Sequence, residues 1–235
     1  MKFLILGNDP SLGLVNWNLV RDSSLFVVGI NRSYMLYPDH DMLFIQDPLP
    51  ILELLDSGYC PEELMSMNIH TTAYFKKRML TEKNKSKMSK EDYTALVDLL
   101  RDGVVKIVPS SFTIKSHSPF SIPNAISYCF DFFKERITEA GKVTFYLCGC
   151  GLKHRQDNNH FWQNSEDVRF PQSSPGGSSV RQLNRQLLVM NNLRSIYLAH
   201  DVNVVSCNVD SRLNNIFPYE PLRDVLLKNK KINHD

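Results

Sequence analysis

Met1-Lys2-Phe3-Leu4-Ile5-Leu6-Gly7-Asn8-Asp9-Pro10-Ser11-Leu12 is an apolar run with the length of a buried strand, broken abruptly by turn residues. The same punctuation recurs twice. Leu25-Phe26-Val27-Val28 ends in Gly29-Ile30-Asn31-Arg32, and Met42-Leu43-Phe44-Ile45 ends in Gln46-Asp47-Pro48. In an open parallel sheet, ligands bind in the crevice outside the carboxyl ends of the strands, so Asn8, Asn31 and Asp47 are expected to converge on one cleft. This arrangement predicts a Rossmann-like α/β domain with a mostly parallel sheet and a site for a nucleotide or nucleotide-sugar.

Working outward, the alternation continues. Ile51-Leu52-Glu53-Leu54-Leu55 leans to helix, and Pro61-Glu62-Glu63-Leu64-Met65 places Pro and acids where a first helical turn accepts them. Ile69 to Phe75 reads as a strand or the start of a helix. Ser89, with Asp92 three positions on, opens a helix through Leu100. Val104 to Val108 is a strand, Pro123 to Ala140 an amphipathic helix stopped by Gly141, and Val143 to Leu147 a buried strand. From Gly149 to Ser179 apolar periodicity fades and Pro171, Pro175, Gly176 and Gly177 appear. A loop of about 30 residues inside a domain is the mark of an active-site lid. A helix from Ser178 to Asn192 then leads to a last strand, Val202 to Cys207, whose end supplies Asn208, Asp210 and Ser211.

Composition sets bounds. The 235 residues, 43% hydrophobic and 22% charged, suffice for one large α/β domain, and no repeat or low-complexity linker divides them. A formal charge of +2 announces no polyanionic partner by global electrostatics. Local clusters at Lys76-Lys77-Arg78, at Lys83, Lys85, Lys87 and Lys90, and at Lys228 with Lys230-Lys231 read either as solvated faces or as a phosphate-binding rim. The first apolar run is too short for a secretory core or a membrane span, and five cysteines are an odd number, so a reducing cytoplasm is expected, without membrane association. Cys148 and Cys150 lack a second pair at zinc spacing and read as small residues at a tight strand end. Cys60, Cys129 and Cys207 read as core thiols.

Gly7-Asn8-Asp9-Pro10-Ser11-Leu12 resembles the G-N-G-P-S-L opening shared by bacterial sialyltransferases of the Campylobacter type and the related 6-hydroxymethylpterin diphosphokinase-like (MptE-like) proteins. The order that follows is similar too: Gly29-Ile30-Asn31-Arg32 after the second strand, a helix begun at Ser121, a strand into Leu147-Cys148-Gly149, a lid, and Asn208 after the last strand. The resemblance implies a glycosyltransferase that needs no metal or separate cofactor and binds a CMP-activated sugar by the opening loop and the strand ends. It places Gly7, Asn8, Pro10 and Ser11 in that loop, Asn8 against the donor's phosphate or ribose, and Gly149 and Asn208 at later strand ends. It also implies that Asn31 and Asp47 line the nucleotide cleft and that Ser121 caps a helix facing it.

Two departures stand out. Asp9 occupies the third motif position, where the family has Gly. Pro175-Gly176-Gly177-Ser178 stands where the sialyltransferases carry a catalytic histidine, which leaves His154, Asp157, His160 and Glu166 on the lid as alternative bases. Asp39-His40-Asp41 has the spacing of a metal-binding Asp-x-Asp pair, yet it precedes its strand and should lie at the opposite sheet edge from Asn8, where turn chemistry explains it. A phage-type enzyme acting on hydroxymethylated DNA bases fits the size and the basic clusters. The rival expectations are a pterin-type pyrophosphokinase using ATP and magnesium, and a non-catalytic nucleotide-binding protein.

Overall fold

The apolar runs pair side by side into one seven-stranded sheet. In the computed structural model, which describes residues 1–73, 76, 88–108, 113–114, 120–152 and 180–231, these are β1 (Lys2–Leu6), β2 (Phe26–Ile30), β3 (Met42–Phe44), β4 (Ile69–Thr72), β5 (Lys106–Val108), β6 (Val143–Cys148) and β7 (Val202–Ser206). Their order is β5-β4-β3-β2-β1-β6-β7, and every pairing is parallel. The chain steps outward from β1 to β5, then crosses back to lay β6 and β7 on the other side of β1. The winding therefore reverses between β1 and β6, which opens a crevice at their carboxyl ends.

The described helices are α1 (Trp17–Arg21), α2 (Pro48–Asp56), α3 (Pro61–Ser66), α4 (Lys90–Arg101), α5 (Ser121–Phe132), α6 (Lys134–Ala140), α7 (Val180–Ala199) and α8 (Leu222–Lys228). Alternate strand residues divide between two faces, as the two-residue period requires. Phe3 and Ile5 pack with Ile126, Ile137 and Leu193 of α5 to α7, whereas Leu4 and Leu6 pack with Leu12, Val20 and Val225 on the opposite face. Leu43, Ile45 and Ile69 share that second face with α2, α3 and α4. The result is a Rossmann-like α/β fold wound on both sides. Among the described residues no helix is long and apolar enough to cross a membrane.

Several local expectations stand as read. Ser89 caps α4 by accepting from Asp92 N at 3.0 Å, and Gly141, left-handed at φ 71°, ends α6. Ile69 to Thr72 is strand. Three readings need correction. The helix expected from Pro123 to Ala140 breaks at Phe133, whose ring packs against Phe3 and Phe26 at 5.4 and 4.8 Å and whose backbone leaves the helix at φ −104°, ψ 17°. Cys60 is exposed rather than a core thiol, because it is the residue that starts α3, its N–H donating to Glu63 Oε2 at 2.8 Å. The late helix runs on to Ala199. The expected lid beyond Leu152, and the basic cluster apart from Lys76 and Lys90, lie outside the described residues.

Candidate functional site

At the reversal of winding the turns after β1 and β6 are joined by their backbones. Gly7 N donates to Cys148 O at 2.8 Å, and Asp9 N to Gly149 O at 2.9 Å. This close approach explains Gly7: a Cβ there would stand 2.2 Å from the Gly149 carbonyl oxygen. Gly149 is left-handed at φ 67°, and a Cβ on it would meet Leu12 Cγ at 2.5 Å, so both contacts are open only to glycine. Gly7→Ala should therefore force the two turns apart. We expect a loss of about 1–3 kcal/mol of stability in urea unfolding, the scale of overpacking a tight contact. A midpoint equal to that of the unaltered chain would show that the turns are not closely joined.

A third segment locks this junction. Asn208, buried just after β7, accepts from Gly149 N at 2.8 Å and Cys150 N at 3.4 Å, and its Nδ2 donates to Ser11 Oγ. Ser11, Gly149 and Asn208, expected at the site from three distant stretches of sequence, thus meet. Asp9 caps the 3₁₀ helix Pro10–Leu14, accepting from Ser11 N at 2.9 Å, with Pro10 at the first helical position. Its other oxygen lies so close to Gly151 that a Cβ there would come within 2.5 Å. The Asp9 carboxylate is thus part of the turn.

Beside this junction opens a cavity of about 800 Å³, within the range of about 300–1,000 Å³ usual for small-molecule sites. Asp9, Ser11, Asn208, Asp210 and Ser211 give it a polar side, while Leu14, Leu19, Tyr219 and Leu226 make an apolar one. The buried Cys148 and Cys207 thiols also line it, and burial raises their pKa, so they are protonated at neutral pH. Tyr219 and Arg223 reach the cavity because the chain past β7 pairs back onto it: Ser206 N donates to Pro218 O at 2.9 Å and Glu220 N to Ser206 O at 3.0 Å.

Across β1 from the cavity, three carboxamides follow the ends of β1, β2 and β3. Asn31, left-handed at φ 51°, accepts from Gln46 N at 3.0 Å. Asn8 Oδ1 and Gln46 Oε1 are buried without a hydrogen-bond partner among the described residues. Such orphaned acceptors cost free energy unless a ligand supplies the donor.

Other expected site residues have structural duties. Asp47 caps α2 by accepting from Leu49 N at 3.1 Å, and none of Asn8, Asn31 and Asp47 lines the cavity. Ser121 does not cap α5: it is the first helical residue, and the cap position is Phe120, which makes no side-chain cap bond. His154, Asp157, His160 and Glu166 lie outside the described residues. In the Asp39-His40-Asp41 turn, Asp39 pairs with Arg21 at 2.8 Å and Asp41 accepts from Val27 N at 2.7 Å. This turn lies at the amino ends of the strands, away from the cavity. Among the described residues no group of three or more His, Cys, Asp or Glu side chains is placed to hold a metal ion.

Sequence reading missed Gln46, Tyr219 and Arg223. Gln46 had a usable signal, since it is the first polar residue after the β3 run. Comparison of the chain with protein-family models, with curated proteins and with solved structures finds no match.

Proposed function

We propose that the protein is a glycosyltransferase that binds a nucleotide-activated sugar, CMP-linked by preference, and passes the sugar to an acceptor hydroxyl. The cavity at the winding reversal is the observation that carries this reading. There, the turns after β1, β6 and β7 offer polar groups at the point where open parallel sheets take nucleotides. Its volume suits a nucleotide-sugar, and the resemblance of Gly7 to Leu12 to the sialyltransferase opening adds the reaction class. The acceptor oxygen forms a bond to the anomeric carbon as the carbon–oxygen bond to phosphate breaks. The nucleoside monophosphate leaves with that electron pair, and the acceptor proton goes to a base. Ser11 accepts from Asn208, so its own hydroxyl proton is left to donate toward the departing phosphate, in a geometry fixed before reaction.

Thermal denaturation with nucleotides tests this. A ligand at 100 times its dissociation constant adds about 2.7 kcal/mol. Stabilisation by CMP, with or without magnesium, is the expected result; a requirement for ATP together with magnesium would move the protein to the pyrophosphokinases. Asn8→Ala sharpens the test. Removing an acceptor that has no partner among the described residues should leave stability unchanged or slightly higher, while CMP binding weakens by about 1–3 kcal/mol. Unaltered CMP affinity in that variant would remove Asn8 from the site.

A further inference from the structure

Among the described residues Arg223 is the one arginine that lines the cavity. Arg21 is paired with Asp39 and Arg32 with Glu53, but Arg223 makes no hydrogen bond or ion pair with any described residue, although it lines the cavity. Its backbone is well held. Val225 and Leu226 of α8 are buried, Asn229 Nδ2 donates to Val225 O at 2.7 Å, and Ser24 N donates to Asn229 O at 2.7 Å. The preceding segment is paired onto Ser206, next to Cys207 and Asn208. A guanidinium with no partner among the described residues, on an anchored element that lines the same cavity as Ser11 and Asn208, is a planar fork of donors with no anion of its own there.

We infer that Arg223 reads the phosphate of the ligand and that the cavity accepts a single phosphate rather than a diphosphate. This rests on the nucleotide reading above and deepens it. One phosphate can take two parallel hydrogen bonds from the guanidinium. A second would bring further negative charge into a lining that already holds the Asp9 and Asp210 carboxylates and, among the described residues, no second Lys or Arg. Attraction to the first phosphate and repulsion of the second together set the specificity.

Titration calorimetry of the full chain with cytidine, CMP and CDP tests it, using the unaltered protein, Arg223→Gln and Arg223→Lys. Arg223 is exposed, so both variants should keep the unaltered melting temperature. The unaltered protein should bind CMP about 10- to 100-fold more tightly than cytidine, the scale of hydrogen bonds to a charged group, and CDP no more tightly than CMP. In Arg223→Gln the preference for CMP over cytidine should collapse with cytidine affinity unchanged, and Arg223→Lys should retain part of it. A CMP preference that survives in Arg223→Gln overturns the assignment of Arg223. CDP binding more tightly than CMP overturns the single-phosphate restriction. Failure of all three to bind the unaltered protein overturns the nucleotide reading itself, and this inference with it.

Discussion

Glu53→Gln should cost about 3–5 kcal/mol of folding stability, a large share of what holds a domain of this size together. Arg32 and Glu53 are 5% and 2% exposed, and they meet as a two-pronged pair, Nε to Oε2 at 2.7 Å and Nη2 to Oε1 at 2.6 Å. Gln keeps the shape but removes the carboxylate charge that the buried guanidinium faces. Arg32→Met likewise removes the guanidinium that the carboxylate faces. The double replacement Arg32→Met with Glu53→Leu should recover most of the loss, because it removes both desolvated charges together. Urea unfolding reads the outcome as a shift in midpoint at constant slope. Single variants within about 1 kcal/mol of the unaltered chain would show that the pair contributes little.

The location of the pair links it to the site. Arg32 follows Asn31, a non-glycine residue held at φ 51°, and Glu53 lies on α2 just beyond Gln46 and Asp47. A strained backbone persists where its surroundings over-determine it. Here the ion pair fixes the residue after Asn31, and the Asn31 side chain holds Gln46 N. The carboxamide row beside Asn8 therefore depends on a buried charge pair whose role is positioning.

Much of this architecture was legible because parallel strands buried on both faces read as unbroken apolar runs, and the runs of β1, β2, β3, β6 and β7 end in Gly, Asn or Gln. The carboxyl-edge rule pointed to Asn8, Asn31 and Asp47, none of which lines the cavity, whereas the family resemblance pointed to Ser11, Gly149 and Asn208, though not to the bonds that join them. What sequence could not reveal came from tertiary packing. The apolar period of Pro123 to Ala140 passes through Phe133 unchanged, and only the Phe3 and Phe26 rings explain the break. Cys60, between Tyr59 and Pro61, reads as a core thiol in the sequence yet faces solvent. Tyr219 and Arg223 carry no motif: they reach the cavity because residues after β7 pair with Ser206, a contact that no local pattern announces. Asn31 and Asp47 were correctly placed at strand ends, but a polar residue there serves its own backbone as readily as a ligand.

Two buried histidines should make the protein acid-labile well above the carboxylate range. His70, 2% exposed, is enclosed by a polar relay in which Nε2 faces Asn68 Oδ1 at 2.7 Å and Nδ1 faces the Tyr128 hydroxyl at 2.7 Å. Asn68 Oδ1 is an acceptor and is shared with Lys106 Nζ at 2.8 Å, so the neutral ring donates from Nε2 and accepts from Tyr128. Burial, and then the Lys106 ammonium, push the pKa of His70 down to about 4. His40 packs against the bare Cα of Gly29, where a Cβ would come within 2.1 Å of the ring, and burial lowers its pKa to about 4 as well. The unfolded chain protonates both near pH 6.5, whereas the folded one refuses both protons until about pH 4. Their contribution to stability is therefore complete above pH 6.5 and is lost as pH falls toward 4, by about 2 kcal/mol per histidine at pH 5 and about 3 at pH 4. The interval from pH 6.5 to 5 isolates the effect, since carboxylates titrate mainly below it. Urea unfolding across that interval should show uptake approaching two protons on unfolding near pH 5. Stability that stays level from pH 6.5 to 5 would mean that both rings reach solvent or an anion in the folded protein, contrary to their packing against Gly29 and Tyr128.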